Sequence, residues 1–97
     1  MTDLTTKSPL FSPGQIVATP GAIEAMNEND CLPATLLAKH ISGDWGSVDA
    51  EDAATNDAAV IHGDRILSSY RIGENVRIWL ITEWDRSVTT ILLPSEY

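Results

Sequence analysis

The stretch that decides the fold is Val76–Leu93, which reads Val-Arg-Ile-Trp-Leu-Ile-Thr-Glu-Trp-Asp-Arg-Ser-Val-Thr-Thr-Ile-Leu-Leu. β-branched and aromatic residues dominate both of its halves, and such residues favour strands. The polar run from Glu83 to Ser87 interrupts them with residues that are typical of turns. The stretch therefore predicts two strands joined by a short turn, and it is the segment most able to nucleate a core.

The residues before this hairpin predict one more strand, from Arg65 to Ile72. Only Gly73-Glu74-Asn75 separates it from the hairpin, and short loops between successive strands imply an antiparallel meander. The middle strand is apolar on both faces, with Val76, Ile78 and Leu80 on one and Trp79 and Ile81 on the other. We therefore expect it to be central, with a second face that is either covered or used for binding.

Three helices are predicted ahead of these strands. Capping residues and prolines at suitable first positions place them at about 20–27, 33–41 and 49–62. Gly43 and Gly63 follow the second and third helices, where a residue with positive φ commonly ends a helix. Residues 15–18 can add a short extended piece to the sheet.

Together these elements predict an α+β fold, in which three short helices pack on one face of a three- to four-stranded antiparallel meander sheet. Residues 14–97 are expected to form this single domain, since 97 residues leave no room for a second core. Residues 1–13 are expected to be a flexible N-terminal arm that can pin Leu10 and Phe11 onto the domain.

The charge of the chain restricts its partners. Fourteen acidic and six basic residues give a net charge of −8, which argues against a nucleic-acid binder that relies on bulk electrostatics. The excess lies in residues 1–64, which hold ten acids and two bases, whereas residues 65–97 hold four of each. Any surface that binds an anion is therefore expected on the strand-rich half.

The sequence predicts no metal and no other cofactor. Cys31 is the single cysteine, so neither a disulfide nor a cysteine metal cluster can form within the chain. Asp44, Asp49, Glu51 and Asp52 lack the spacing of a calcium loop and suit a solvated helix start. No leader pattern or long apolar run occurs, which predicts a cytoplasmic protein that does not enter a membrane.

Four residues of the strand-rich half are candidates for binding. Arg71, Arg77 and Trp79 lie on predicted strands, and arginines beside an aromatic residue on a sheet can hold a phosphate backbone and stack a base. The alternative is that they are ordinary solvent-facing residues whose stems cover apolar surface. Trp84 stands between two acids in a predicted turn, where burial is difficult, and an exposed tryptophan can anchor a partner.

His40 supports a different hypothesis, that of a metal-independent ribonuclease-like domain. In it His40 would act as general acid/base, with Arg65, Arg77 and Thr90 around the phosphate. The position of His40 at a predicted helix C-terminus explains the residue equally well, because the helix dipole favours a protonated histidine there. No catalytic residue follows from the sequence without this hypothesis.

Several stretches resemble a group of small bacterial proteins from plasmids and other mobile elements, labelled plasmid-related and without an established function. The resemblance covers roughly residues 14–97. It is carried by Leu36-Leu-Ala-Lys-His-Ile-Ser-Gly-Asp-Trp-Gly46, Glu51-Asp52 with Asn56, Arg65-Ile-Leu-Ser-Ser-Tyr70, Ile78-Trp-Leu-Ile-Thr-Glu83 and Asp85-Arg-Ser-Val-Thr-Thr-Ile-Leu-Leu-Pro94. It implies an accessory-gene origin and no particular chemistry.

The order of helices followed by a meander also resembles, more remotely, the barnase, colicin and RelE-type ribonuclease architecture. The chain is acidic where those toxins are usually basic. The leading hypothesis is therefore a non-enzymatic protein-interaction module, whose partner is another protein or a second copy of the chain. Nucleic acid enters only under the ribonuclease alternative.

Overall fold

The computed structural model describes residues 8–97 and shows an α+β fold with three helices and a four-stranded sheet. Its elements, in chain order, are β1 (Gln15–Ala18), α1 (Pro20–Glu28), α2 (Pro33–Ile41), α3 (Ala50–His62), β2 (Ile66–Gly73), β3 (Val76–Thr82), β4 (Val88–Leu92) and a 3₁₀ turn at Pro94–Glu96. Each predicted helix and strand is present within one or two residues of its expected ends.

The strand order across the sheet is β1-β4-β3-β2. The three later strands form the predicted antiparallel meander, with Ser68 opposite Leu80 and Leu80 opposite Ile91. The expectation of a wholly antiparallel sheet was wrong at β1, which runs parallel to β4 from Gln15 opposite Val88. The sequence of β1 favours an extended conformation but carries no information on its direction. That direction is set by the helical crossover, which returns the chain to the far side of the sheet.

The helix ends follow the predicted capping chemistry. The hydroxyl of Thr19 accepts a hydrogen bond from the N–H of Ala22 at 3.1 Å, and Pro20 occupies the first helical position. At the other end of the helical region Gly63 adopts a φ of 76°, and its N–H bonds to a carbonyl of the last turn of α3. These contacts satisfy backbone groups that a helix cannot pair internally.

Helices α1 and α2 cover one face of the sheet. The buried side chains of this main core are Ala22, Met26, Leu36, Tyr70, Ile78, Leu80 and Ile91. The strand residues among them, Tyr70, Ile78, Leu80 and Ile91, occupy positions that alternate toward the helices. Burying one large aliphatic side chain of this kind contributes about 2 kcal/mol of transfer free energy, so the core is the main source of stability.

Helix α3 packs along the outer edge of β2, and its Ala59 packs with Ile66, a residue of the helix-covered face. The amide of Asn56 donates to the carbonyl of Leu67 at 2.7 Å and accepts from the N–H of Leu67 at 3.2 Å. These backbone groups point outward from β2, so α3 runs along the outer edge of the sheet. Helices α1 and α2 therefore lie on the helix-covered face, and α3 contacts it at the edge of β2. A side-chain amide that pairs with an edge strand in this way blocks the edge against other chains.

The Gly43–Gly46 loop covers the next part of the same edge. Ser47 donates its N–H to the carbonyl of Ser69 at 2.6 Å, and Ser69 donates to the carbonyl of Trp45 at 3.1 Å. The indole of Trp45 is buried, and its N–H donates to the carboxylate of Asp57 at 3.0 Å. Trp45, Ala59 and Ile66 form a second buried cluster, with Phe11 packed against it.

Residues 8–13 pack on this cluster. Leu10 donates its N–H to the carbonyl of Ile41 at 2.7 Å, and the ring of Phe11 stacks on Trp45 with centroids 6.3 Å apart. Residues 1–7, the remainder of the predicted arm, lie outside the described residues. No helix within residues 8–97 has the length and apolarity required to cross a bilayer.

The position of Gly46 gives a test of the edge arrangement. Gly46 has a φ of 77°, and a Cβ on it would collide with the carbonyl oxygen of Ser69. Gly63 has nearly the same φ, but a Cβ there meets nothing within 4 Å. We expect Gly46→Ala to lower the free energy of unfolding by roughly 3 kcal/mol, and Gly63→Ala by only about 1 kcal/mol from its backbone conformation alone. Urea unfolding of both variants measures this difference, and equal losses would contradict the close approach of the loop to β2.

Candidate functional site

His40, the residue best suited to acid–base chemistry, lies in the protein core. Its side chain is fully buried between α2 and the sheet. Nδ1 lies 2.6 Å from the hydroxyl of Ser68, and Nε2 lies 2.8 Å from the hydroxyl of Thr82. Phe11 meets the imidazole edge to face with centroids 5.2 Å apart. Both ring nitrogens are therefore engaged, and an aromatic ring covers the imidazole.

The hydrogen bonds continue from His40 through two threonines to the backbone, and the end of this chain fixes its direction. Thr89 donates its hydroxyl proton to the carbonyl of Pro13 at 2.7 Å, so it must accept from Thr82 across their 2.6 Å contact. Thr82 in turn has no proton left for His40, which must donate from Nε2. Nδ1 then accepts the proton of Ser68. The geometry thus assigns the neutral Nε2–H tautomer to His40.

The charge state of His40 follows from the same surroundings. Burial, assisted by the positive charge of Arg86, lowers the pKa of His40 from 6.5 to about 4. Burial disfavours the imidazolium because the low-dielectric interior replaces the hydration of the charge. His40 is therefore neutral at neutral pH and acts as a structural hydrogen-bonding group of the core.

The structure does not bring together the four residues of the ribonuclease hypothesis. His40 contacts the helix-covered face of the sheet through Ser68 and Thr82. Arg77 and Thr90 occupy strand positions of opposite parity to those that face the helices, and Arg65 directly precedes β2 with its side chain half-exposed. The sheet separates the imidazole from these residues, so they do not line a common cleft.

The partners of His40 were not predicted from the sequence. Ser68, Thr82 and Thr89 are fully buried, each on the helix-facing side of its strand. A signal was available, because hydroxyl residues at core-facing strand positions need a buried polar partner. His40, at the end of an apolar helical stripe, was the residue that could supply it.

We use the term open face for the side of the sheet away from α1 and α2. Each row across β2 and β3 pairs two residues, so that Arg71 lies opposite Arg77, Ser69 opposite Trp79 and Leu67 opposite Ile81. On β4 the neighbouring residues are Leu92, beside Trp79, and Thr90, beside Ile81. The open face therefore carries predicted binding residues at one end and apolar residues along its middle.

Aromatic residues form the centre of the open face. Trp79 is partly exposed, and Tyr97 packs against it edge to face with ring centroids 5.7 Å apart. Tyr97 itself is 67% exposed, and the guanidinium of Arg65 stands 5.3 Å from its ring centroid. Tyr97 therefore covers part of the open face, whereas Phe11 packs on His40 and Trp45 on the helix-covered side.

The two ends of the open face differ in charge. At one end Arg65 lies 3.9 Å from the carboxylate of Glu83. At the other end Arg71 and Arg77 stand directly opposite each other, and both are exposed. Within residues 8–97 neither of these two guanidinium groups has a carboxylate within 4.0 Å, and Arg71 donates from Nε to the carbonyl of Gly73 at 3.3 Å. Arg65 thus has an acidic partner at one end of the open face, while Arg71 and Arg77 at the other end have none within 4.0 Å among residues 8–97.

Trp84 lies in the β3–β4 turn with 66% of its surface exposed. Arg86 holds this turn, because its guanidinium donates to the carbonyls of Ala59 at 2.9 Å and Asp64 at 2.6 Å, which belong to the end of α3 and the loop after it. Arg86 has a φ of 61°, a conformation that the turn requires. Trp84 is therefore presented to solvent on a turn that is fixed to the helical layer.

Among residues 8–97 no group of three or more histidine, cysteine or acidic side chains is arranged to hold a metal ion.

Comparisons with protein-family models, with curated proteins and with solved structures each return no match.

The burial of His40 predicts a specific dependence of stability on pH. The unfolded chain binds a proton at His40 near pH 6.5 and the folded chain only near pH 4, so the unfolded state holds more protons between these values. The free energy of unfolding should therefore fall as pH drops through this window, by about 3 kcal/mol in total from this group. Urea unfolding between pH 7 and pH 4 measures the loss.

A pair of histidine variants isolates the contribution of His40. His40→Gln should remove most of the extra pH dependence above pH 5, where carboxylates still contribute little, whereas His62→Gln at an exposed position should leave it intact. If His40→Gln left the pH dependence of the free energy of unfolding unchanged, His40 would have the same pKa in the folded and the unfolded protein.

Proposed function

We propose that this chain is a non-enzymatic protein-interaction module that binds its partner on the open face of the sheet. The observation that supports it best is the contrast between the two sides. The side that contains His40 is closed and fully hydrogen-bonded, while the open face presents Trp79, Tyr97 and exposed arginines. Exposed aromatic and arginine side chains are the residue types that contribute most binding energy in protein interfaces.

The architecture around the open face supports the same proposal. The outer edge of β2 is blocked by Asn56 and by the Gly43–Gly46 loop, so association through that edge is disfavoured. Neither α1 nor α2 lies on this face. Ile81 and Leu92 in its middle are nearly buried, so that Trp79, Tyr97 and the arginines supply the accessible surface. A partner that docks there would bury the remaining surface of Trp79. The resemblance to plasmid-related proteins makes a mobile-element setting part of the proposal.

The ribonuclease alternative receives less support from the geometry. It requires His40 to reach a phosphate, yet Phe11 and the sheet enclose the imidazole. Incubation of the purified protein with total RNA in EDTA tests it directly, and we expect no cleavage. Cleavage that disappears in His40→Gln but persists in His62→Gln would contradict the proposal of a non-enzymatic module.

Site-specific photocrosslinking tests the interaction surface. A photoreactive benzoylphenylalanine at Leu67, on the open face, should give a discrete crosslinked protein in the cells that make this chain. The same group at Leu32, which is 68% exposed on the helical side, is the matched control and should not give it. The crosslink should be lost when Trp79→Ala is added, because Trp79 supplies apolar contact at the centre of the face.

Two results would count against the proposed surface. Equal crosslinking from Leu67 and Leu32 would show that the open face has no preference for a partner. A crosslink from Leu67 that survives Trp79→Ala unchanged would show that the aromatic centre does not take part. Either result requires a folded variant, which the buried indole signal of Trp45 in an NMR spectrum reports.

A further inference from the structure

We infer that the partner is a protein that binds the Arg71–Arg77 row of the open face through an acidic segment. This inference rests on the proposed function, and it adds the chemistry of the partner. Its basis is the arginine pair itself. Like charges directly opposite on neighbouring strands destabilise a sheet, so the row is unfavourable in the isolated protein unless an anion relieves it.

Arg65, at the other end of the open face, allows its charge environment to be compared with that of Arg71 and Arg77. Arg65 has Glu83 at 3.9 Å and Tyr97 beneath its guanidinium, so its charge is already balanced within the chain. Arg71 and Arg77 lack such a carboxylate within residues 8–97. Three of the six basic residues of an acidic protein thus lie on one sheet face. Asp30 and Asp44 line a cavity with Arg71, but neither carboxylate comes within 4.0 Å of its guanidinium.

Geometry relates this charged row to the aromatic centre. Trp79 follows Arg77 by two residues on β3, a spacing of roughly 7 Å on the same face of a strand. A segment that places a carboxylate between Arg71 and Arg77 can therefore lay a neighbouring apolar side chain against Trp79. Arginine forks bind carboxylates through paired N–H groups, which gives such a contact orientation as well as attraction.

A short acidic protein segment fits this surface better than a nucleic acid. A polyanion that extends past Trp79 toward the other end of the face would meet Asp52, which lines a cavity of about 220 Å³ with Arg65 and Tyr97. It would also meet Glu83 and the field of a chain with a net charge of −8. A second copy of this chain would offer Glu83 and Asp52 from the far end of its own open face, and it fits less well because Glu83 is already paired with Arg65.

Binding of defined probes to the intact protein tests the inference. The probes are a short peptide that alternates glutamate and leucine, the same peptide with lysine in place of glutamate, and a single-stranded oligothymidylate. The three tryptophans give separate indole N–H signals in an NMR spectrum, so that each titration reports where a probe binds. We expect the glutamate peptide to shift the Trp79 signal and to leave that of buried Trp45 unchanged, with weaker binding at higher salt.

Matched arginine variants assign the contact to the charged row. Arg77→Gln should weaken binding of the glutamate peptide by about tenfold or more, whereas Arg65→Gln should change it by less than about twofold. Arg77→Gln should also raise the Tm of the free protein, because it removes the like-charge opposition. A purely structural role for Arg77 would instead lower the Tm together with binding.

The outcomes separate failure of this inference from failure of the proposed function. If Leu67 crosslinks to a protein but Arg77→Gln has no effect, and the glutamate peptide binds no better than the lysine peptide, the acidic partner is wrong while the interaction surface stands. Binding of the oligothymidylate in preference to the glutamate peptide would replace the protein partner with a nucleic acid. A dimer whose association depends on Trp79 would identify a second copy as the occupant and overturn the inference.

Discussion

The chain of hydrogen bonds through His40 is the interaction on which the rest of the structure depends. It joins α2 to β2 through Ser68, to β3 through Thr82 and, by way of Thr89, to β4 and the carbonyl of Pro13. Breaking one link would leave a buried donor or acceptor without a partner, at a cost of about 1–3 kcal/mol. The fold therefore accepts one arrangement of these segments and penalises others.

This chain also constrains the register of the sheet. His40 can reach Ser68 and Thr82 together only because the two hydroxyls lie on the same face of neighbouring strands, in the register that sets Ile66 opposite Thr82. A slip of β2 by one residue against β3 would move the Ser68 hydroxyl to the open face, while Thr82 would stay beside His40. The polar groups in the core thus specify the pairing that apolar residues alone would specify less sharply. As a consequence, the open face carries the arginines and Trp79 at fixed positions.

Sequence reasoning predicted the elements better than their arrangement. Alternation in β3 and the caps at Thr19 and Gly63 are local signals, and each of these elements formed where expected. The direction of β1 and the place of α3 depend on contacts distant in the chain, such as that of Asn56 with Leu67. The sequence also named Trp79 and Trp84 as candidate binding residues, but it left open whether they are buried or exposed and could not show that Tyr97 would pack on Trp79.

The most direct test of this account is the protonation state of the His40 ring, observed through its nitrogen chemical shifts by NMR at pH 7. The expected result is a neutral ring in the Nε2–H tautomer, with Nδ1 unprotonated as the acceptor of the hydrogen bond from Ser68. On lowering the pH, the ring should stay neutral until the pKa of about 4 is approached. A ring with its proton on Nδ1, or one that titrates near pH 6.5 while the protein stays folded, would contradict it.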